Sequence, residues 1–264
     1  MGSVIDIDWL VLSAFFGLLA IPLLLNRFYQ LELGRDIITS VARMTLQLVL
    51  VGVYLEYLFD FNSAVINLLW IVTMVLIGAS AIISKSKLPA SKLMLPITTG
   101  LFAGLLPILA IITLLVIKPS PLFSAQYLIP LAGMLLGNSM SGNIVSLQTF
   151  FSALETRRGE YEAALSLGAS TRYATLAFVR EAIQRSLAPT IATMATTGLV
   201  TLPGMMTGQI LGGASPIIAI KYQLMIMVAI FVMMTISVAI ALKLTVRNCI
   251  NKEGRLLVSS HSSE

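Results

Sequence analysis

Charge is scarce in this chain. Of 264 residues, 17 are Lys or Arg and 12 are Asp or Glu, 11% in all, against about 25% in an ordinary soluble domain. Cysteine and histidine occur once each. Cys249 alone excludes a disulfide framework, and with His261 the only imidazole there is no cluster of soft or borderline metal ligands. His261 lies in a Ser-rich end where disorder is expected, and it is assigned no role. Cys249 falls in the basic tail, where a thiol is expected to stay reduced. Nucleotide-hydrolysing and hydrolytic signatures are missing too. There is no G-x-x-x-x-G-K-[ST] phosphate loop, no H-E-x-x-H, no G-x-S-x-G and no pair of carboxylates within an apolar run. If ATP drives this protein, the nucleotide sits on another chain.

What fills the length is apolar: 57% of residues are hydrophobic. Windows of about 20 mostly apolar residues mark membrane spans. Seven are read, with soft ends, near Trp9–Leu25, Ile37–Phe59, Ala64–Ile83, Leu93–Ile117, Ala125–Phe151, Leu187–Leu211 and Ala219–Leu242. They are continuous runs rather than alternating ones, which argues against a β-barrel. The expected class is all-α, a multi-pass protein of the cell inner (plasma) membrane. Asp6 and Asp8 precede the first run, so it reads as a retained span rather than a cleaved signal with a basic head. The expected organisation is one permease-like membrane domain over residues 1–247 and a disordered cytosolic tail over 248–264.

A net charge of +5 could suggest nucleic acid, but its distribution does not. Arg27, Arg35, Lys85, Lys87, Lys92, Arg157, Arg158, Arg172, Arg180, Arg185, Lys243, Arg247, Lys252 and Arg255 fall in alternate loops and the tail. The other side carries Asp6, Asp8, Glu56 and Asp60, with Lys118 and Lys221 as its loop cations. Cationic loops stay cytosolic. The expected topology is N-terminus outside and C-terminus inside, which an odd number of spans satisfies. Residues 152–186 are then a cytosolic insert.

That insert holds Glu162-Ala163-Ala164-Leu165-Ser166-Leu167-Gly168-Ala169-Ser170. The spacing resembles the coupling segment of ATP-binding-cassette (ABC) transporter permeases, a short helix that docks on a separate ATPase subunit. Ala163 and Ala164 permit close approach, Glu162 accepts hydrogen bonds, and Gly168 can adopt the left-handed turn that ends a helix. An Ala-rich loop helix with no partner is the plainer alternative. A second helical stretch is expected over Thr171–Arg185.

Four further segments carry a closer resemblance. They are Ser40–Arg43 with Gln47-Leu48, Pro130–Met140, Gly198–Gly208, and Gly212–Pro216 with Ala219–Gln223. Together with the Glu162 segment they resemble the FetB-type permease family, over about Gly34–Lys243. That family includes the membrane subunit of a bacterial iron exporter and plant permeases linked to aluminium tolerance. The resemblance implies a permease homodimer in the bilayer, paired with FetA-type ATPase subunits that bind ATP and magnesium, and an iron cargo leaving the cytosol. Another metal or a nucleotide sugar is the alternative cargo. Arg180-Glu181 stands where many ABC permeases have Leu-Pro, and Ala192 and Ala195 stand where relatives carry charges.

Within the spans, Arg43 and Gln47 share a helix face and read either as path or gate residues, or as an Arg snorkelling to cytosolic phosphates beside a helix-bonding Gln. Asn138, Ser139, Ser141 and Asn143 form a polar stripe that either lines a path or packs helices through Gly133, Gly137 and Ser141. Pro203 and Gly204 interrupt the sixth span, and a broken helix frees carbonyls that can line a cavity. Met205 and Met206 follow; they are soft ligands or apolar filler. The path residues are expected to face inward, with the second, fifth and sixth spans packed together. A secondary carrier would need intramembrane carboxylates, and a scaffold would need no coupling segment.

Overall fold

The computed structural model describes residues 6–251. Its regular elements are helices, with one isolated bridge between Thr197 and Thr201. In chain order they are α1 (Trp9–Phe15) and α2 (Ala20–Phe28), joined by a tighter turn at Phe16–Leu19; α3 (Gly34–Phe61); α4 (Ala64–Ser86); α5 (Ala90–Ile111), continued by a wider turn over Ile112–Ile117; α6 (Ala125–Thr156); α7 (Arg158–Ser166); α8 (Thr171–Thr196); α9 (Gly204–Leu211); and α10 (Pro216–Cys249). Six stretches are long and apolar enough to cross a membrane: Trp9–Phe28, Gly34–Phe61, Ala64–Ser86, Ala90–Ile117, Ala125–Thr156 and Pro216–Cys249.

The run expected as a span over 187–211 is not a single helix. Its first half belongs to α8, which starts at Thr171 and continues through Pro189. The stretches read as a cytosolic helix and as the start of a span are therefore one element. Hydropathy divides them because Arg180, Glu181 and Arg185 interrupt the apolar pattern, whereas the backbone is uninterrupted. The chain leaves the helix at Thr197 and re-enters one at Gly204, so Pro203 caps the start of α9 rather than kinking a longer rod. Cys249, placed by sequence in the tail, is the buried last residue of α10. The tail from 252 onward and His261 lie outside the described residues.

The core sits among α4, α5, α6, α8 and α10. Its tightest seam joins α5 and α10. A methyl group on Gly100 would stand 2.7 Å from the Ser237 carbonyl oxygen, and one on Gly104 2.7 Å from that of Met233. Glycine at both sites lets the two backbones meet, the small-xxx-small device that replaces the hydrophobic drive inside a bilayer. The pairing of Gly100 with Ser237 and Ala241, and of Gly104 with Met233, makes the helices antiparallel. Next to this seam, Gly142 of α6 packs directly on the Met234 side chain. Asn143 donates to the Ser139 carbonyl at 2.9 Å and to Ser237 Oγ at 3.0 Å, tying α6 to α10 with a buried polar pair.

Two ends of the bundle follow from these contacts. At one end, Gln148 of α6 donates to the Lys85 carbonyl at 3.3 Å, beside the α4–α5 turn. At the other, Asn67 donates to the Phe123 carbonyl, and Asn62 Oδ1 accepts from Ala125 N–H, both at 2.9 Å. These Asn side chains lock the α3–α4 turn to the start of α6. α1–α3 stand apart: in their apolar windows no residue is buried, and the far end of α3 is held by Leu58, which packs with Ala125 and Ile129 in a small cluster of its own, and by Tyr54, whose ring lies 4.5 Å from that of Trp70 on α4.

Candidate functional site

α7 hangs between the ends of α6 and α8. Tyr161 is its buried anchor, and burial pushes the Tyr161 phenol up from its ordinary pKa. Ala164 and Leu165 also rest on the core, half-buried. The opposite face carries Glu162 and Ala163, both exposed, and Glu162 accepts from Arg158 Nε at 2.7 Å across one turn. The helix ends as its sequence suggests. Gly168 has φ +88°, its N–H donates to the Leu165 carbonyl at 2.9 Å, and Ala169 N–H reaches back to the Ala164 carbonyl at 3.0 Å. That is the Schellman closure, which needs a residue comfortable in the left-handed region. Ser170 Oγ then accepts from Tyr173 N–H at 3.3 Å and starts α8.

The turn presents an apolar tip. Leu167 is 89% and Tyr173 72% exposed. The tip stands beyond the ends of two long helices, at the end that holds the Lys- and Arg-rich turns. Both large side chains lie outside the six apolar membrane-length stretches.

Sequence reading missed what holds this helix in place. Arg157 forms the corner between α6 and α7, and its guanidinium donates to Glu181 of α8 while lying 4.8 Å over the Phe178 ring. Glu181 also accepts from Arg185 at 2.9 Å. Glu181, one half of the pair that departs from the common ABC pattern, thus supplies a brace. With Glu181 only 29% exposed, this is worth more than a fully solvated pair, on the order of 1 kcal/mol. Replacing Glu181 by Ala should loosen α7 without unfolding the bundle. Hydrogen exchange is expected to rise across 158–166 while the melting temperature moves little. Unchanged exchange there would show that the apolar packing of Tyr161, Ala164 and Leu165 fixes the helix without Glu181.

The expected path residues do not form one group. Asn138 and Ser141 lie on the exposed side of α6, with Asn138 donating to its own helix at Met134. Ser139 and Asn143 face α10 and are fully buried. The polar stripe is therefore two stripes, since adjacent helix positions point about 100° apart. Ser139 Oγ is buried with no hydrogen-bond partner among the described residues. Pro203 and Met206 are half-buried, while Met205, Met134 and Met140 pack against the core. Arg43 and Gln47 are exposed on α3, which meets α6 at its other end; the second, fifth and sixth expected spans do not pack as one triad. Among the described residues no group of His, Cys, Asp or Glu could hold a metal ion. A cavity of about 680 Å³ between α1–α2 and α3 has apolar walls relieved by Ser13 and Thr45.

The chain matches the Uncharacterised protein family UPF0014 over residues 9–250. It belongs to that family. Similar family proteins include a UPF0014 membrane protein of Synechocystis, 33% identical over 97% of this chain and 99% of the relative. Another is the Probable iron export permease protein FetB of Escherichia coli, 32% identical over 92% of each chain. Protein ALUMINUM SENSITIVE 3 of Arabidopsis thaliana is 33% identical over 84% of this chain and 83% of its own. No solved structure matches. Family membership and six membrane-length apolar helices make this chain a multi-pass membrane protein.

Proposed function

We propose that this chain is the membrane-spanning subunit of an ABC exporter, powered by a separate FetA-type ATPase that docks on α7. The observation that carries the reading is the α7 tip: a braced two-turn helix with exposed Glu162 and Ala163, closed by Gly168, beside exposed Leu167 and Tyr173. The ATPase, not this chain, would bind ATP and magnesium. Iron is the proposed cargo, supported by the name of the Escherichia coli relative. The plant relative's name supports testing aluminium beside it. Two copies would assemble with two ATPases. Asn138, on the open side of α6, and the Pro203–Met206 segment are the proposed path residues on this chain, and Ser139, enclosed against α10, is proposed to pack the helices.

Seven crossings are proposed, with the N-terminus outside and the C-terminus inside. α8 is the seventh. It leaves the α7 end, where Glu181 meets Arg157, and reaches Met234 through Thr190 at 3.8 Å, midway along α10. Its 26 residues cover about 39 Å, enough to cross a hydrocarbon core of about 30 Å. α10 then returns to the α7 end, beside the start of α5. A single cysteine placed at Glu160 should resist membrane-impermeant thiol reagents in intact cells and react after permeabilisation. Labelling from outside would overturn the topology.

The functional test is reconstitution with a FetA-type ATPase. The expected result is a stable complex whose ATP hydrolysis rises with Fe(II) or Fe(III), compared with Cu(I), Al(III) and nucleotide sugars. Failure of any ATPase to co-purify would refute the ABC reading. A stable complex stimulated by another cargo would refute only iron.

A further inference from the structure

A groove of about 510 Å³ opens between α3 and α4, lined by Arg43, Leu76, Ile77, Ser80, Ser84 and Lys85, with Ala81 at its floor. No carboxylate lines it. Ser80 and Ser84 are four residues apart and share one face of α4. Among the described residues, no hydrogen bond or ion pair engages the Arg43 guanidinium, the Lys85 ammonium or either hydroxyl. Four residues with unengaged donor groups, two of them cationic, therefore line one open space.

Their height matters. Lys85 is one residue short of the end of α4, and its carbonyl accepts from Gln148 at the α7 end of the bundle. Arg43 lines the same groove as Lys85, so it stands at the level of a helix end, not in the middle of the hydrocarbon. α3 has 28 residues, about 42 Å, and overshoots a hydrocarbon core of about 30 Å, which lets Arg43 sit at the interface. Along α4 the wall grades from apolar to polar. Leu76 and Ile77, 43% and 63% exposed, lie toward the middle of the helix, and Ser80, Ser84 and Lys85 follow toward its end.

We infer that this groove binds an anionic phospholipid of the leaflet on the α7 side. The phosphate would take Arg43, Lys85 and the two hydroxyls, and an acyl chain would lie along Leu76 and Ile77. Arg presents a planar donor fork suited to phosphate, and Lys adds a point charge. Basic pockets between helices at a membrane surface hold lipid headgroups by this chemistry. The polar end alone would also suit a free phosphate. The apolar lower wall, which a free anion would leave bare, favours the lipid. The inference goes beyond the transport reading and does not depend on cargo or ATPase.

The test uses the full chain in nanodiscs of phosphatidylcholine with increasing phosphatidylglycerol. Retained lipid is counted by native mass spectrometry, and thermal stability is followed in parallel. Phosphatidylglycerol should be retained selectively and should raise the melting temperature. The Arg43→Gln/Lys85→Gln variant should lose about 25-fold in apparent affinity, at roughly fivefold for each cation near a membrane surface. Arg43→Lys should keep most of the binding. Ser80→Trp, which fills the groove and leaves both cations in place, should lose it, and this variant decides the matter if the double variant does not fold. Arg247→Gln, a cation outside the groove, should behave as the unaltered chain. Undiminished retention in the double variant or in Ser80→Trp would overturn the inference. Displacement of the lipid by inorganic phosphate, with equal stabilisation by phosphate alone, would overturn the lipid in favour of a soluble anion.

Discussion

Replacing both Gly100 and Gly104 by Ala will destabilise the bundle more than any other paired change of one methyl each. Two effects oppose each other. Alanine is the better helix former, by about 1 kcal/mol per site. Against that, each new Cβ would meet a backbone carbonyl of α10 at 2.7 Å. A carbonyl within a continuous helix cannot turn aside, so α5 and α10 must separate along their whole seam. Overpacking of this kind costs about 1–3 kcal/mol per site, and separation also strains the neighbouring Asn143–Ser237 pair. The clash should win. The expected outcome is a clear fall in melting temperature and a broadened size-exclusion peak. Gly137→Ala is the control, because nothing lies within 4 Å of a Cβ there. It should be neutral or slightly stabilising. Equal melting temperatures for the double variant and the unaltered chain would refute the proposed close seam.

The second large effect is on coupling. Gly168→Val should leave insertion and the melting temperature nearly unchanged yet remove most ATP-driven transport. No atom lies within 4 Å of a Cβ at this position, so valine would meet no neighbour. The cost is in the backbone alone. At φ +88° a β-branched residue is strained by roughly 1–2 kcal/mol. The turn can relieve that strain by giving up the Ala169-to-Ala164 hydrogen bond, which would swing Leu167 and Tyr173 out of register with Glu162. Gly168→Asn should retain part of the activity, because Asn tolerates the left-handed region. A Gly168→Val chain that assembled with the ATPase and transported at the unaltered rate would sink the docking role of α7. Melting behaviour separates this case from simple misfolding.

Some of this protein was readable before any coordinates. Long apolar runs with few charges leave helices as the only spanning solution, because every backbone group must be satisfied within its own segment. Four of the seven expected spans reappear as single continuous helices, and the first and fourth reappear as near-continuous ones. The Glu162–Gly168 pattern was legible for a local reason: a Gly with φ +88° and a Ser cap obey rules that act over four or five residues. Family resemblance was legible too, in segments such as Pro130–Met140 and Gly198–Gly208.

Other features needed the tertiary structure, because they depend on which faces meet. Helical spacing placed Asn138, Ser139, Ser141 and Asn143 in one polar stretch. Only the contact with α10 separated buried Ser139 and Asn143 from exposed Asn138 and Ser141. Glu181 looked like an interruption of an apolar run until α8 folded back and set it against Arg157, 24 residues away. Arg43 looked isolated inside a span until the packing of α3 beside α4 set it along one groove with Lys85, a pairing that chain order alone does not give. The close seam of Gly100 and Gly104 became visible only when Ser237 and Met233, more than a hundred residues later, arrived opposite. Composition and local spacing thus determined that the chain is helical, membrane-borne and equipped with a short turn-closed helix. Helix pairing decided which polar groups are packed, which are braced and which remain open, because burial and charge pairing belong to surfaces that form only when distant segments touch.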